Sequence, residues 1–410
     1  MLKLILILKI THRAARQAVV LGVAAGLVGC SSRPGAPDSG EPMRLPDGGL
    51  PVSRAQVVTA AAECALTSAK QFRDAAAALQ QATGPLAAAP DAPGLAAARA
   101  AFEAAMDVWE LNEALQYGPA ALSSTMGGKD LREQINSWPL FSRCGVEEQL
   151  VSKSYESGAR KLLINRRGMM ALEYLLFYEG DATACPADSA IVLQGTWAAL
   201  SQDERAARRR AYAAAVAADV KAWADQLVAE WDPGFMTTMT TAGAGSPLFT
   251  SSQAALNVVS DAVFYIDASV INFKLAPALG LRSECIAPPC VELLESQHAG
   301  RSKRNVAQNL IGLRLLLQGC GPQHAGIGFD DLLAGVGAEG TAQRLHDATG
   351  AMQSAVDAID EPDLEEALAA DPASVRAVYD AAKVITGLLK TEFLTVLDLE
   401  LPKTLEGDND

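Results

Sequence analysis

Histidine is scarce in this chain, with four residues in 410. Three of them, His298, His324 and His346, lie beyond the first thirty residues. That supply is too thin for a conventional His-rich zinc hydrolase. Aromatic residues make up only 5 %. No segment alternates apolar and polar residues between hairpin turns, which argues against sheets. Basic residues are also short, 34 against 48 acidic, for a net charge of −14. Such a surface repels phosphate backbones, so nucleic acid is excluded as a partner. HExxH, GxSxG, P-loop and CxxC patterns are absent, and several enzyme classes go with them. What is present is a chain that is 50 % hydrophobic and 20 % charged, which excludes disorder. Its length suits two to three domains, and its abundant Ala leans helical.

The N-terminus reads as an address. Lys9, His12, Arg13 and Arg16 form a charged stretch, and Ala18 to Val28 is an apolar run too short to span a bilayer comfortably. The run ends in Leu27-Val28-Gly29-Cys30, small residues followed by Cys, which resembles a bacterial lipobox. In that reading residues 1–29 are a signal peptide and Cys30 carries the lipid. The other reading is an ordinary secretory signal with an incidental Cys. Removing residues 1–29 deletes four basic residues (Lys3, Lys9, Arg13, Arg16) and no acidic one, taking the charge from −14 to −18. Ser31 follows Cys30, where many inner-membrane lipoproteins carry Asp, so the expected location is the outer membrane, facing the periplasm. Residues 30–53, rich in Ser, Pro, Gly and Asp, suit a flexible tether. No later window holds enough unbroken apolar residues for a membrane span.

With Cys30 set aside, six cysteines remain, an even number that fits disulfides in an oxidising compartment. Cys144 and Cys185 lie in loop-like sequence flanking one apolar helix. Cys285 and Cys290 enclose Ile-Ala-Pro-Pro, a loop that can close on itself. By elimination Cys64 pairs with Cys320. Zinc and a free nucleophile are the alternatives for these cysteines, disfavoured by the missing CxxC and the scarce His.

From residue 52 the apolar period is helical almost throughout. Helices are expected over 54–82, 94–117, 129–137, 146–155 and 168–178. A capping box at Ser201 to Glu204 opens a long helix reaching Trp231. Residues 233–250 are rich in Gly, Thr, Ser and Pro and read as an interdomain linker. Further helices follow over 251–276, 302–318, 340–360 and 373–398, the last with Asp371 as N-cap and Pro372 at N1. The expected fold is all-α: two tandem antiparallel helical bundles, 54–232 and 251–400, with an acidic tail at 401–410.

Few residues stand out as chemistry. Glu173 sits in an apolar stripe, GMMALEYLLFY, and needs a partner or a metal because burying it bare is costly. A bond to an Arg or a backbone amide within the core is the other reading. Trp109 and Glu113, at i and i+4, share a helix face. Glu113 carries the same ambiguity, and carboxylates on neighbouring helices can ligate a hard cation or form a solvated acidic face. Glu295 and His298, three apart, could share a metal, or His298 could be a surface loop residue. Arg301, Lys303 and Arg304 crowd the start of helix 302–318 against its dipole, suggesting an anion site or salt bridges. The run Arg205 to Arg210 reads as an exposed helix face.

Five strings in order, ARAAFEAAMDVWELNEALQYGPA, INSWPLF, GMMALEYLLF, FKLAPALGL and ESQHAGRSKRNVAQNLIGLRLLLQG, resemble the imelysin family over about residues 54–400. The resemblance implies periplasmic or outer-membrane proteins, often lipoproteins, made of two four-helix-like bundles. The family is catalogued among metallopeptidases, and several members are tied to iron uptake. It also implies a site where the bundles meet, around the motif Gly, one residue, His, two residues, Glu. Gly168 and Glu173 match that motif, but Met170 stands at the His position. A thioether cannot act as a base and is a poor ligand for zinc or ferric iron.

The expected function is therefore a non-catalytic envelope module that binds a divalent or ferric ion, or another ligand, in metal acquisition. Glu173, Glu113, Glu295 and His298 are its candidate ligands. Its expected partners are the membrane, through Cys30, and an iron-uptake or envelope protein. A metallopeptidase with Glu173 as general base, and a structural or partner-binding protein, are the alternatives.

Overall fold

The computed structural model describes residues 51–88, 92–402 and 405. The expected signal segment, the expected anchor at Cys30, the expected tether up to residue 50 and most of the acidic tail lie outside these residues. Every regular element among the described residues is helical.

Local signals start most helices. Ser53 accepts from the N–H of Gln56, whose side chain returns to the Ser53 N–H, and this capping box opens Arg54–Thr83. Val58, Ala61, Ala65, Ala69, Phe72, Ala76 and Leu79 recur every three or four residues along that helix and are all buried. Its small side chains let Ala92–Glu113 and Gln202–Glu230 pack close against it. The expected box at Ser201 and Glu204 is formed. Ser142 caps Arg143–Ser152 three residues before the expected start, through the N–H of Gly145. Cys144 therefore lies in a helix rather than a loop. Helix Ala92–Glu113 ends four residues earlier than expected. The short helices Phe329–Gly335 and Leu364–Ala370 were not anticipated, being only two turns long. Asp371 caps Pro372–Leu388 through the Ala373 N–H.

In chain order the helices fall into two groups that pack on one another as one compact unit. Arg54–Thr83, Ala92–Glu113, Met169–Phe177 and Gln202–Glu230 pack together in the first. Ser252–Val263 with its continuation Ile266–Leu275, Ser302–Gln318, Glu339–Asp357 and Pro372–Leu388 make the second. The groups share one continuous apolar core. Residues 233–250, expected as a linker, take part in it. Met236–Thr240 is helical and packs on Arg54–Thr83, while Phe235, Met239 and Phe249 are buried. Ser252–Leu275 is long and apolar enough to cross a membrane by length and composition alone. Yet 72 % of its apolar window is buried inside the protein, the position of a core helix.

The three expected disulfides are all formed. Cys64–Cys320, Cys144–Cys185 and Cys285–Cys290 have Cα separations of 5.9, 4.5 and 5.6 Å, within the usual reach. Cys64–Cys320 ties the first helix to the end of Ser302–Gln318, across the two groups.

A close approach between the groups lies at Gly312. A Cβ there would lie 2.4 Å from the carbonyl oxygen of Leu111 and 2.7 Å from the Ala114 Cβ. Only glycine lets Ser302–Gln318 lie so close to Ala92–Glu113. Gly312→Ala should therefore destabilise the protein by about 1–2 kcal/mol despite the better helix propensity of Ala. Urea unfolding measures it, and an unchanged midpoint would show that the interface is slack.

Candidate functional site

The close approach at Gly312 brings together groups far apart in sequence. Glu110 and Glu113 stand on the last turn of Ala92–Glu113. Glu295 lies in the segment that precedes Ser302–Gln318. Lys274 comes from the end of Ser252–Leu275, where the helix widens to an i→i+5 pattern, with the Ala276 N–H bonding the Ile271 carbonyl. Carboxylate oxygens of Glu110, Glu113 and Glu295 lie within 4.8 Å of one another, all buried. The Lys274 ammonium sits among them, 2.5 Å from Glu110 Oε2, 2.6 Å from Glu295 Oε2 and 3.5 Å from Glu113 Oε2.

Each carboxylate is also held from behind. Glu113 Oε1 accepts from Trp109 Nε1 at 2.9 Å and Asn136 Nδ2 at 3.0 Å, with Arg132 at 3.5 Å. Glu113 Oε2 accepts from the Tyr265 hydroxyl. Glu110 Oε2 accepts from Asn309 at 2.8 Å, and Glu295 Oε2 from Asn305 at 3.1 Å. Glu110 Oε1 and Glu295 Oε1 are buried without a hydrogen bond.

Three acids thus face two cations, Lys274 and Arg132, and their proton affinities separate accordingly. Burial drives Glu110 well above the usual carboxylate range, and the Glu295 charge adds to it. Glu295 is raised chiefly by burial. For Glu113, burial pushes upward but is overcome by Arg132, Lys274 and the bonds from Tyr265 and Asn136, which bring it down to about 2. Burial disfavours the Lys274 charge, but Glu110 and Glu295 overcome that and hold it cationic.

Glu173 and His298 stand outside this cluster. The motif glycine, Gly168, precedes Met169–Phe177 with φ +82°, and a Cβ there would meet the Ile135 carbonyl oxygen at 2.5 Å. Arg167, just before it, is anchored to Asp219 at 3.1 Å. Met170 is buried. Glu173 Oε1 accepts from the N–H groups of His298 and Ala299 at 2.9 and 3.3 Å, so it secures the loop that carries Glu295. Its Oε2 is buried without a hydrogen bond. Burial raises Glu173 to about 7, with the neighbouring Ser296 side chain and the two N–H groups pulling it back. The His298 ring faces Tyr174 and Tyr178, 5.4 and 5.5 Å away, instead of the acids. Burial and Arg143 lower it to about 4, so it is neutral.

The expected quartet therefore divides. Glu113 and Glu295 converge, while Glu173 and His298 form a supporting contact beside them. Glu110 and Lys274 escaped the sequence reading. The signals existed: Glu110 shares a helix face with Glu113, and Lys274 is a lone cation in a long apolar helix. The charges at the start of Ser302–Gln318 resolve as salt bridges for the two arginines and carbonyl contacts for the lysine. Arg301 and Arg304 both pair with Asp107, Lys303 Nζ donates to the carbonyls of Ile359 and Glu361, and Asp363 accepts from the Lys303 N–H.

All-oxygen, anionic donors with two unpartnered oxygens suit a hard cation better than a soft one. Glu110, Glu113 and Glu295 would hold it. Its charge would take over the role now filled by the ammonium, so Lys274 has to withdraw or lose its proton.

Two solved structures share the fold. One, from Parabacteroides distasonis, is described as a candidate iron-regulated protein A precursor. It is 17 % identical with a TM-score of 0.63, over 86 % of this chain and 98 % of the other. The second, an imelysin-like protein from Psychrobacter arcticum, is 15 % identical with a TM-score of 0.62, over 88 % of this chain and 99 % of the other. No curated protein matches. The profile of the Imelysin family matches residues 65–391, most of the folded chain, and the protein belongs to the imelysin family.

Proposed function

We propose that this protein is a non-catalytic, hard-cation-binding module of the cell envelope, anchored through Cys30 to the outer membrane and facing the periplasm. The observation that carries the reading is the convergence of three buried carboxylates, drawn from both helical groups, on a single ammonium. In this reading Lys274 is a built-in stand-in for the cation, neutralising the acids until a metal displaces it. The description of one structural neighbour as iron-regulated favours ferric or ferrous iron among hard cations. Delivery to an envelope partner in metal uptake follows from the same reading.

The test is equilibrium dialysis of the full-length protein in detergent against iron, calcium and zinc, with elemental mass spectrometry as readout. Wild type should retain one hard cation per chain, and Lys274→Met should retain it more tightly. Glu113→Gln should lose affinity by at least about tenfold, the loss of one charged ligand. No retained metal in wild type or in Lys274→Met would overturn the proposal.

One observation favours a second reading, a metallopeptidase with Glu173 as base. A carboxyl raised to about 7 is suited to proton transfer near neutrality. Against it, Glu173 Oε1 already accepts two backbone N–H groups, and Met170 supplies no ligand to zinc. Chelator-sensitive cleavage of a casein substrate, abolished by Glu173→Gln, would establish it.

A further inference from the structure

The run Arg205 to Arg210, expected as an exposed face, is partly internal. Arg205 and Arg209 are buried, at 9 % and 6 % exposure. Gln202–Glu230 packs on Met169–Phe177, and its arginines point toward the segment that follows that shorter helix. Most arginines nearby have an acid. Arg205 pairs with Asp181 at 2.9 Å, Arg166 with Glu148 at 3.0 Å, Arg167 with Asp219 at 3.1 Å and Arg99 with Glu179 at 2.6 Å.

Arg209 and Arg143 are different. Neither forms an ion pair among the described residues. Arg209 donates from Nη2 to the Gly180 carbonyl at 2.7 Å, and its Nε is buried with no partner. Arg143 Nε is likewise buried without a partner. Glu147, one turn beyond Arg143 on the same helix, has both oxygens engaged elsewhere, by the Tyr174 hydroxyl, the Thr183 hydroxyl and the Ala184 N–H. The buried Arg209 guanidinium without an anion is costly, and the half-buried Arg143 adds a second cation without an ion pair.

Both guanidiniums surround one aromatic stack. Tyr174 and Tyr178 lie with ring centroids 4.9 Å apart at 20°. Arg143 is 5.3 and 5.0 Å from the two centroids, and Arg209 is 6.0 and 5.0 Å. The His298 ring completes the surround at 5.4 and 5.5 Å, and neither of its nitrogens forms a hydrogen bond among the described residues. The aromatic faces offset part of the cationic charge, but they accept no N–H in the way an oxyanion does.

We propose that Arg143, Arg209 and His298, gathered around the Tyr174–Tyr178 stack, form a binding site for a small oxyanion of the carboxylate or phosphate class. The site is separate from the acidic cluster and does not depend on the metal reading. The two meet only through the segment 295–299, which presents Glu295 to one and His298 to the other.

The test is calorimetric titration of the full-length protein with citrate and, separately, with inorganic phosphate. One of the two should bind, and more weakly as salt rises. Citrate alone would assign the site to carboxylates, and phosphate alone to phosphoryl groups. Arg143→Gln should raise the dissociation constant by at least about tenfold, the effect of one charge-assisted contact. Glu113→Gln should leave it unchanged. In wild type, the bound anion should slow modification of Arg143 by phenylglyoxal, read by mass spectrometry, which decides the matter even where Arg143→Gln fails to fold. The proposal is overturned by absence of binding for both anions, by equal affinity in Arg143→Gln, or by an Arg143 modification rate that neither anion changes.

Discussion

Lys274→Met should lower stability by about 3–5 kcal/mol near pH 8, the usual consequence of removing one partner from a buried ion cluster. Among the described residues the ammonium is the only cation in contact with Glu110 and Glu295, and both acids are buried. Methionine fills a similar volume, so the loss is electrostatic rather than a cavity. The pH dependence separates the two causes. Without the ammonium, the carboxyls of Glu110 and Glu295 rise further above their unfolded values. The folded variant then binds more protons than its unfolded chain, and its stability climbs as pH falls. The deficit against wild type should therefore shrink at about pH 5 and grow above about pH 7. Urea unfolding at both pH values measures it. An equal deficit at both would mean that Lys274 matters only as packing. Adding Glu110→Gln to Lys274→Met should restore part of the loss, because it removes the acid that burial disfavours most.

Glu173→Gln should act in the opposite direction and stabilise the protein at alkaline pH. Glu173 is raised from 4.5 to about 7 in the folded protein. Between those values the folded state keeps a proton that the unfolded chain has lost, so stability falls as pH rises through that window. The fall is complete above about pH 7 and amounts to about 3 kcal/mol. Glutamine cannot ionise, and its carbonyl still accepts from the N–H groups of His298 and Ala299. The variant should equal wild type near pH 4.5 and exceed it by up to about 3 kcal/mol above pH 7. Denaturant midpoints across that range provide the measurement. A variant less stable than wild type at every pH would show that the charge of Glu173 is itself needed to secure the 298–299 loop.

These two residues differ in how much of their role was legible in the sequence. Glu173 was identifiable as a carboxylate inside an apolar helix, so its burial and its need for a partner followed from helical periodicity. Which amide would supply that partner did not follow, since His298 lies 125 positions away. Lys274 was harder to recognise. In a regular helix its neighbours at i−3 and i−4 would define its face, but the i→i+5 turn rotates it toward Glu110. The arginines of Gln202–Glu230 were misread for a related reason. A cluster of charges reads as solvated unless something covers it, and the covering segment at 178–184 belongs to another part of the chain.

The amino-acid sequence determined most of the helices, the caps at Ser201 and Asp371, the disulfide pairing and the family, because these depend on contacts three or four residues apart, on cysteine spacing, or on ordered strings of residues. It also named Glu113 and Glu295 as candidates. Tertiary structure alone decided that these two meet Glu110 around Lys274 while Glu173 and His298 stand aside. That convergence depends on Gly312 bringing two helical groups within backbone contact, a long-range approach that no local periodicity encodes.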